Sequence, residues 1–120
     1  MFNEVDKIIV DAIEEAGLLH NSYLGSEHLL LAILRNEKLP ITRLLNTYGM
    51  RYNKVRMDLI QLNYNYGFLS DNSGYSECVK QILHHCENGS SIIMEMMNIE
   101  ECLGACILSQ YAIPMEKVMN

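Results

Sequence analysis

One segment of this chain, residues 23–36, reads Tyr-Leu-Gly-Ser-Glu-His-Leu-Leu-Leu-Ala-Ile-Leu-Arg-Asn and predicts the architecture around it. Gly25 interrupts the preceding segment, and the hydroxyl of Ser26 can cap the free N–H groups of a new helix. Glu27 follows where the helix dipole favours a negative charge. The remaining residues are apolar on almost every side of the helix, so we expect neighbouring helices to surround it.

Apolar residues at helical spacing predict three more helices in the first half of the chain. One runs from about residue 3 to 16 and ends near Gly17. A second begins near Pro40, which suits the first turn of a helix, and a third extends from about residue 52 to 62. Four short helices with tight connections predict an all-α unit.

The second half of the chain shows signs of an internal repeat. A shift of 74 residues places Glu27–Leu34 over Glu101–Leu108 and the apolar positions of 5–9 over those of 79–83. The polar segment between the halves has no sustained period. We therefore predict one domain, with repeat one at 1–63, a linker at 64–74 and repeat two at 75–120.

The second repeat is shorter than the first. At the 74-residue offset, Asn98 is the predicted cap of its central helix. Further along, Tyr111–Val118 best matches Tyr48–Val55, an offset of only 63. We assign the eleven missing residues to the third helix, which predicts four helices in the first repeat and about three in the second.

The run Gly25-Ser-Glu-His followed by a Leu-rich helix resembles the signature of the Clp N-terminal domain, a double-repeat module of ClpA- and ClpC-type ATP-dependent unfoldases. The resemblance extends from about residue 2 to 62, with a weaker copy after it. It implies two helical repeats packed about a pseudo-twofold axis. It also implies a protein-binding module that docks substrates or adaptors. The chain resembles this domain alone, either excised from a longer unfoldase or free-standing, and the short second repeat suggests a divergent or free-standing member.

The resemblance further implies a ligand, because ClpC-type members receive arginine-phosphorylated substrates at the acids that begin the central helices. Those acids are Glu27 and Glu101 here, and a hydroxyl residue 25 positions upstream helps to bind the phosphate. Ser76 occupies that position for Glu101, whereas Phe2 lacks a hydroxyl and Asn3 is the nearest substitute for Glu27. We therefore expect phosphoarginine to bind through Glu101 and Ser76 more than through Glu27. The alternative is that both acids only stabilise helix N-termini.

All four cysteines lie in the second half, at positions 78, 86, 102 and 106. With the neighbouring histidines they raise a second hypothesis, a small metal-binding or thiol protein. Paired zinc-ligand spacing is lacking, and the repeat offset places Cys86 and Cys106 over small core residues, so we expect buried thiols. A Met-rich group is either a binding surface or core filling, and its members are Met94, Met96, Met97, Met115 and Met119.

Composition limits the other classes of function. The chain has 120 residues and a net charge of −6, which disfavours a nucleic-acid partner. It has no apolar run of the ~20 residues that a membrane span needs, and no secretory signal, so we expect a cytoplasmic protein. It also lacks a Walker motif, which predicts no ATPase of its own, no enzyme activity and no cofactor.

Overall fold

A computed structural model of the chain describes residues 3–62, 75–99 and 102–119, and the described residues are all-helical. The predicted all-α class is confirmed. The predicted linker at 64–74 lies outside the described residues. The helices are α1 (Glu4–Leu18), α2 (Ser26–Arg35), α3 (Pro40–Thr47), α4 (Tyr52–Leu62), α5 (Glu77–Leu83), α6 (Gly89–Asn98), α7 (Leu103–Ser109) and α8 (Met115–Met119).

Helix α2 is the centre of the first repeat, as its apolar sequence predicts. Its residues from Ser26 to Leu34 are all buried, and five consecutive side chains from Leu29 to Ile33 have no exposed surface. Helices α1, α3, α4, α6 and α7 all pack against it. A helix that is apolar on almost every side needs neighbours all round, and here both repeats contribute them.

Charged side chains fix α1 against the C-terminal end of α2. The guanidinium group of Arg35 lies 2.9 Å from a carboxylate oxygen of Glu15 and 3.1 Å from one of Asp11. A third pair joins Arg35 to the exposed Glu14 at 2.9 Å. Burial by itself would lower the pKa of Arg35, but hydrogen bonds to Glu14 and Glu15 raise it, so the guanidinium stays charged. Because Asp11 and Glu15 are buried, this pairing keeps their charges compensated.

The second repeat follows the first at a constant offset of 63 residues over three helices. Helices α2, α3 and α4 begin at Ser26, Pro40 and Tyr52, and α6, α7 and α8 begin 63 positions later. Packing follows the same order, since α6 contacts α5, α7 and α8 as α2 contacts α1, α3 and α4. The described part of the second repeat therefore contains four helices, which corrects the prediction of about three.

This register changes which helix is assigned as the central helix of the second repeat. It is α6, in which Ile92, Ile93 and Met96 have no exposed surface, like their counterparts Leu29, Leu30 and Ile33. The predicted central helix capped by Asn98 is wrong, because Asn98 is the last residue of α6.

The eleven missing residues come from the end of the first helix of the second repeat and the loop that follows it, and not from its third helix. Helix α1 has 15 residues, whereas α5 has 7. The offset of 74 does hold inside this first helix, where Ile8 and Ile82 are both buried. The deletion thus lies between Ile82 and the beginning of α6.

Among the described residues, no helix is both long and apolar enough to cross a membrane.

Candidate functional site

The N-terminus of α2 is held by a histidine instead of the predicted serine cap. Gly25 is the N-cap residue, and its backbone N–H donates to Nδ1 of His28 at 2.8 Å. On the other side of the ring, Nε2 lies 2.8 Å from Oδ1 of Asn21. Nδ1 accepts a hydrogen bond, so the proton of the neutral ring is on Nε2. His28 is thus a hydrogen-bonded structural residue, and burial lowers its pKa while Glu27 and Glu15 oppose that shift.

Ser26 is thereby available for a different contact, across the two repeats. Its hydroxyl oxygen accepts a 2.8 Å hydrogen bond from the backbone N–H of Gly104 in α7, and both groups are buried. Gly104 permits this approach, because a Cβ there would lie 3.1 Å from that of Ser26 and would collide with the sulfur of Met96. The loop before α2 adds a second link, in which the N–H of Ser76 donates to the carbonyl of Leu24 at 2.9 Å.

A cavity of about 200 Å³ lies where these links join the repeats, and we call it the inter-repeat cavity. Both repeats contribute to its wall. The described residues that line it are Tyr23, Gly25, Ser26, Glu27, Ser76, Cys78, Cys102, Leu103 and Cys106.

Glu27 supplies the carboxylate of the inter-repeat cavity. The residue is 2% exposed, and its Oε2 accepts a 2.6 Å hydrogen bond from the hydroxyl of Tyr23. Gly25 leaves room for the other oxygen, since a Cβ at position 25 would collide with Oε1 of Glu27. The sequence shows Gly25 two positions before Glu27. It did not indicate the contribution of Tyr23, because the contact of Tyr23 with Glu27 depends on the conformation of the loop.

Ser76 lines the same cavity as Glu27. It is the N-cap of α5, where its hydroxyl oxygen accepts from the N–H of Val79 at 3.3 Å. A serine that accepts in this way still has its O–H to donate. The sequence placed Ser76 with Glu101, so this juxtaposition with Glu27 comes from the tertiary structure.

Asn3 and Ser76 hold equivalent places in the two repeats, because each caps the first helix of its repeat. The side chain of Asn3 accepts from the N–H of Asp6 at 2.8 Å, and Asp6 accepts in return from the N–H of Asn3. Asn3 is not among the described residues that line the inter-repeat cavity. Its role in binding stays a prediction.

Glu101 lies outside the described residues, as does Phe2. The premise that Glu101 begins a central helix does not hold, because α6 ends at Asn98 and α7 begins at Leu103. In the register of α2 and α6, the counterpart of Glu27 is Ser90. Cys102, the next residue after Glu101, does line the inter-repeat cavity. Binding through Glu101 stays a prediction.

No disulfide joins the four cysteines, all of which lie in the described residues, and the exposure of Cys106 differs from the prediction. Cys106 is exposed and not a core filler, because in the register of α7 it does not overlie Ala32. Cys86 is half-buried against the core, and its thiol donates to the carbonyl of Ile82 at 2.6 Å. In the described part of the chain, no group of three or more His, Cys, Asp or Glu residues is arranged to hold a metal ion.

The Met-rich group contributes to the core of the second repeat. Met96 is fully buried, and Met94 and Met97 are partly buried against the core. Of the two alternatives for these residues, the structure supports core filling.

A larger cavity of about 700 Å³ lies at the other end of α2, near Arg35, Arg51 and Lys54. Two of these three basic side chains already have partners, because Arg35 is bound to the acids of α1 and Lys54 lies 2.8 Å from Asp58. The inter-repeat cavity is therefore the better candidate for a binding site.

Comparison with protein families agrees with this architecture. The family model described as the Clp repeat (R) N-terminal domain matches residues 1–91. The chain belongs to the Clp N-terminal domain family. The match includes helices α1 to α5 and the beginning of α6, so it includes both Glu27 and Ser76.

Curated relatives of this Clp N-terminal domain are much longer proteins. Over 56 residues, the chain is 39% identical to the negative regulator of genetic competence ClpC/MecB of Bacillus subtilis and 38% identical to the chaperone protein ClpB of Oceanobacillus iheyensis. It is 36% identical over the same length to the chloroplastic chaperone protein ClpC1 of Oryza sativa. These segments cover 47% of this chain but only 6–7% of each relative.

Proposed function

We propose that this Clp N-terminal domain is a non-catalytic module that docks protein substrates or adaptor proteins for ATP-dependent unfolding and proteolysis by a Clp ATPase. Membership of the family and the names of the relatives support the association with Clp chaperones. The observation that carries the proposal is the inter-repeat cavity, in which Glu27 of one repeat and Ser76 of the other share one wall.

The chemistry of this cavity favours a guanidinium group. A carboxylate can accept two parallel hydrogen bonds from a guanidinium, and a site with little water strengthens them. Glu27 is held in place by Tyr23, so less conformational freedom is lost on binding. Ser76 can add an O–H donor to a phosphate oxygen on the same ligand. An arginine or phosphoarginine side chain of a protein partner is thus the ligand that we propose.

The described wall of the cavity contains no lysine, arginine or histidine. A phosphate bound there would have only neutral donors as partners. We therefore expect free phosphoarginine to bind weakly, with a Kd of about 1 mM, since few charge-assisted contacts are available.

The test is titration of the chain with free phosphoarginine, followed by amide chemical shifts in NMR spectra. We expect saturable shifts at the N-terminus of α2 and at Ser76. Glu27→Gln should weaken binding about 10- to 100-fold, because a hydrogen bond to a charged group contributes about 1.5–3 kcal/mol. Ser76→Ala should weaken it by a smaller factor.

Glu116→Gln is the matched control, because it removes an exposed acid from the first turn of a different helix, α8. It should bind as the wild type does. The same titration of Glu101→Ala and Asn3→Ala decides whether those residues contribute. The absence of any shift at millimolar phosphoarginine, or unchanged binding by folded Glu27→Gln, would contradict the proposed ligand.

A further inference from the structure

Three of the four cysteines of this chain line one small cavity. Cys78 comes from α5, Cys102 caps α7 and Cys106 lies one turn further along α7. The N–H of Cys106 donates to the carbonyl of Cys102 at 3.1 Å, which places the two residues on successive turns of the helix. The inter-repeat cavity, which contains Glu27, is thus also lined by three of the four thiols of the second repeat.

The three thiols differ in how far they are open to a reagent. Cys102 is 2% exposed, and its sulfur accepts from the N–H of Ala105 and donates to the carbonyl of Ile99, at 3.3 and 3.4 Å. Cys78 is half-buried, whereas Cys106 is exposed. A reagent from solution therefore meets Cys106 first.

Cys86 provides an internal contrast outside the cavity. Its thiol donates to the carbonyl of Ile82, and burial raises its pKa to about 11. The thiolate is the reactive form of cysteine, so at neutral pH Cys86 is protonated almost completely and reacts slowly.

We propose that Cys106 is a site of reversible modification by low-molecular-weight disulfides, and that the adduct closes the inter-repeat cavity. The thiolate of Cys106 attacks one sulfur of the disulfide. The S–S bond of the reagent breaks, a new S–S bond forms to Cys106, and the other half leaves as a thiolate that takes up the proton lost by Cys106. A cellular thiol reverses the reaction by the same exchange.

The geometry explains why an adduct at this position would regulate docking, an inference that rests on the proposed function. Cys106 lines a cavity of about 200 Å³, so a tripeptide-sized adduct on its sulfur is too large to lie inside, and in the proposed closed form it lies across the opening. Access to Glu27 and to the half-buried Cys78 would then be lost together.

The modification is tested with the full chain and oxidised glutathione, followed by intact mass and peptide mapping. We expect one adduct, on Cys106. Cys106→Ser should slow its formation about tenfold or more, because the other three thiols are buried or half-buried. Cys86→Ser should leave the rate unchanged, and circular dichroism confirms that each variant is folded. An adduct mainly on Cys86 or Cys78, or an unchanged rate in Cys106→Ser, would overturn the assignment.

Closure of the cavity is tested by alkylation of Cys78 with iodoacetamide in the Cys86→Ser variant. Reaction of Cys106 with glutathione should slow alkylation of Cys78 about fivefold or more, since its access is blocked. An unchanged rate would show that the adduct leaves the cavity open. The alkylation rate of Cys78 is measured without a docking ligand. If phosphoarginine does not bind the reduced protein, that result refutes the proposed ligand but leaves the closure of the cavity to be judged by the alkylation rate. Where phosphoarginine does bind, the adduct should abolish the binding.

Discussion

Replacement of Ser26 by alanine tests whether the two repeats are joined as the structure shows. The serine hydroxyl accepts the N–H of Gly104 in α7, 78 residues away, and both groups are buried. Ser26→Ala removes the acceptor and leaves the N–H of Gly104 without a partner inside the protein. The side chain of Ser26 is 2% exposed, so water cannot readily replace the lost oxygen.

The expected loss follows from the cost of an unsatisfied buried donor. Leaving such a group without a hydrogen bond costs about 1–3 kcal/mol of unfolding free energy. For a chain of this length, each kcal/mol lowers the melting temperature by about 3–6 °C. Urea unfolding followed by far-UV circular dichroism measures the free energy directly, provided that the slope with urea is unchanged.

Ser109→Ala is the matched control for this prediction. Ser109 lies on the same helix as Gly104, is exposed, and donates only to the carbonyl of Cys106 in its own helix. Its replacement should change the stability by about 0.5 kcal/mol or less. If Ser26→Ala were as stable as Ser109→Ala, the hydrogen bond between α2 and α7 could not be part of the repeat interface.

Three further predictions concern the central helix of the second repeat, a residue with a positive φ, and a buried histidine. Ile93→Asp should unfold the chain or cost several kcal/mol of unfolding free energy, because Ile93 has no exposed surface. Leu103→Asp should cost less, because Leu103 is only partly buried. Equal losses of stability in urea unfolding would argue against α6 as the central helix. Ala112→Gly should stabilise the fold by about 0.5–1 kcal/mol, since Ala112 has a φ of 53° that glycine adopts without strain, and a lower melting temperature would contradict this. The third prediction is that acidification destabilises the protein through His28, whose pKa is below its ordinary value of 6.5 in the folded state. Below that pH the unfolded chain binds a proton that the folded chain does not, so the free energy of unfolding falls as the pH drops from about 7 to 5. His28→Gln should show a shallower pH dependence over this window, and an equal slope would mean that His28 is not responsible.

The boundaries of the repeats show where inference from sequence failed. The match of Tyr48–Val55 with Tyr111–Val118 gave the correct offset of 63, and both valines are buried as it predicts. The apparent match of Glu27–Leu34 with Glu101–Leu108 gave a wrong offset for the central helix, because short apolar runs with helical spacing fit more than one helix. Burial resolves the ambiguity, since Ile92 and Ile93 are in the core and Cys106 is exposed.

The sequence by itself determined the helical class and the position of α2. A ten-residue helix that is apolar on almost every side must be surrounded, and Gly25 just before it, with the acid and the histidine of its first turn, marks where it begins. Only the tertiary structure decided which residues share a site. Glu27 and Ser76 are 49 positions apart, and they line one cavity because two hydrogen bonds, from Ser76 N–H to the carbonyl of Leu24 and from Gly104 N–H to the hydroxyl of Ser26, hold the repeats in one arrangement. Periodicity reports which side of a helix is apolar, but it contains no information about which helix will cover that side.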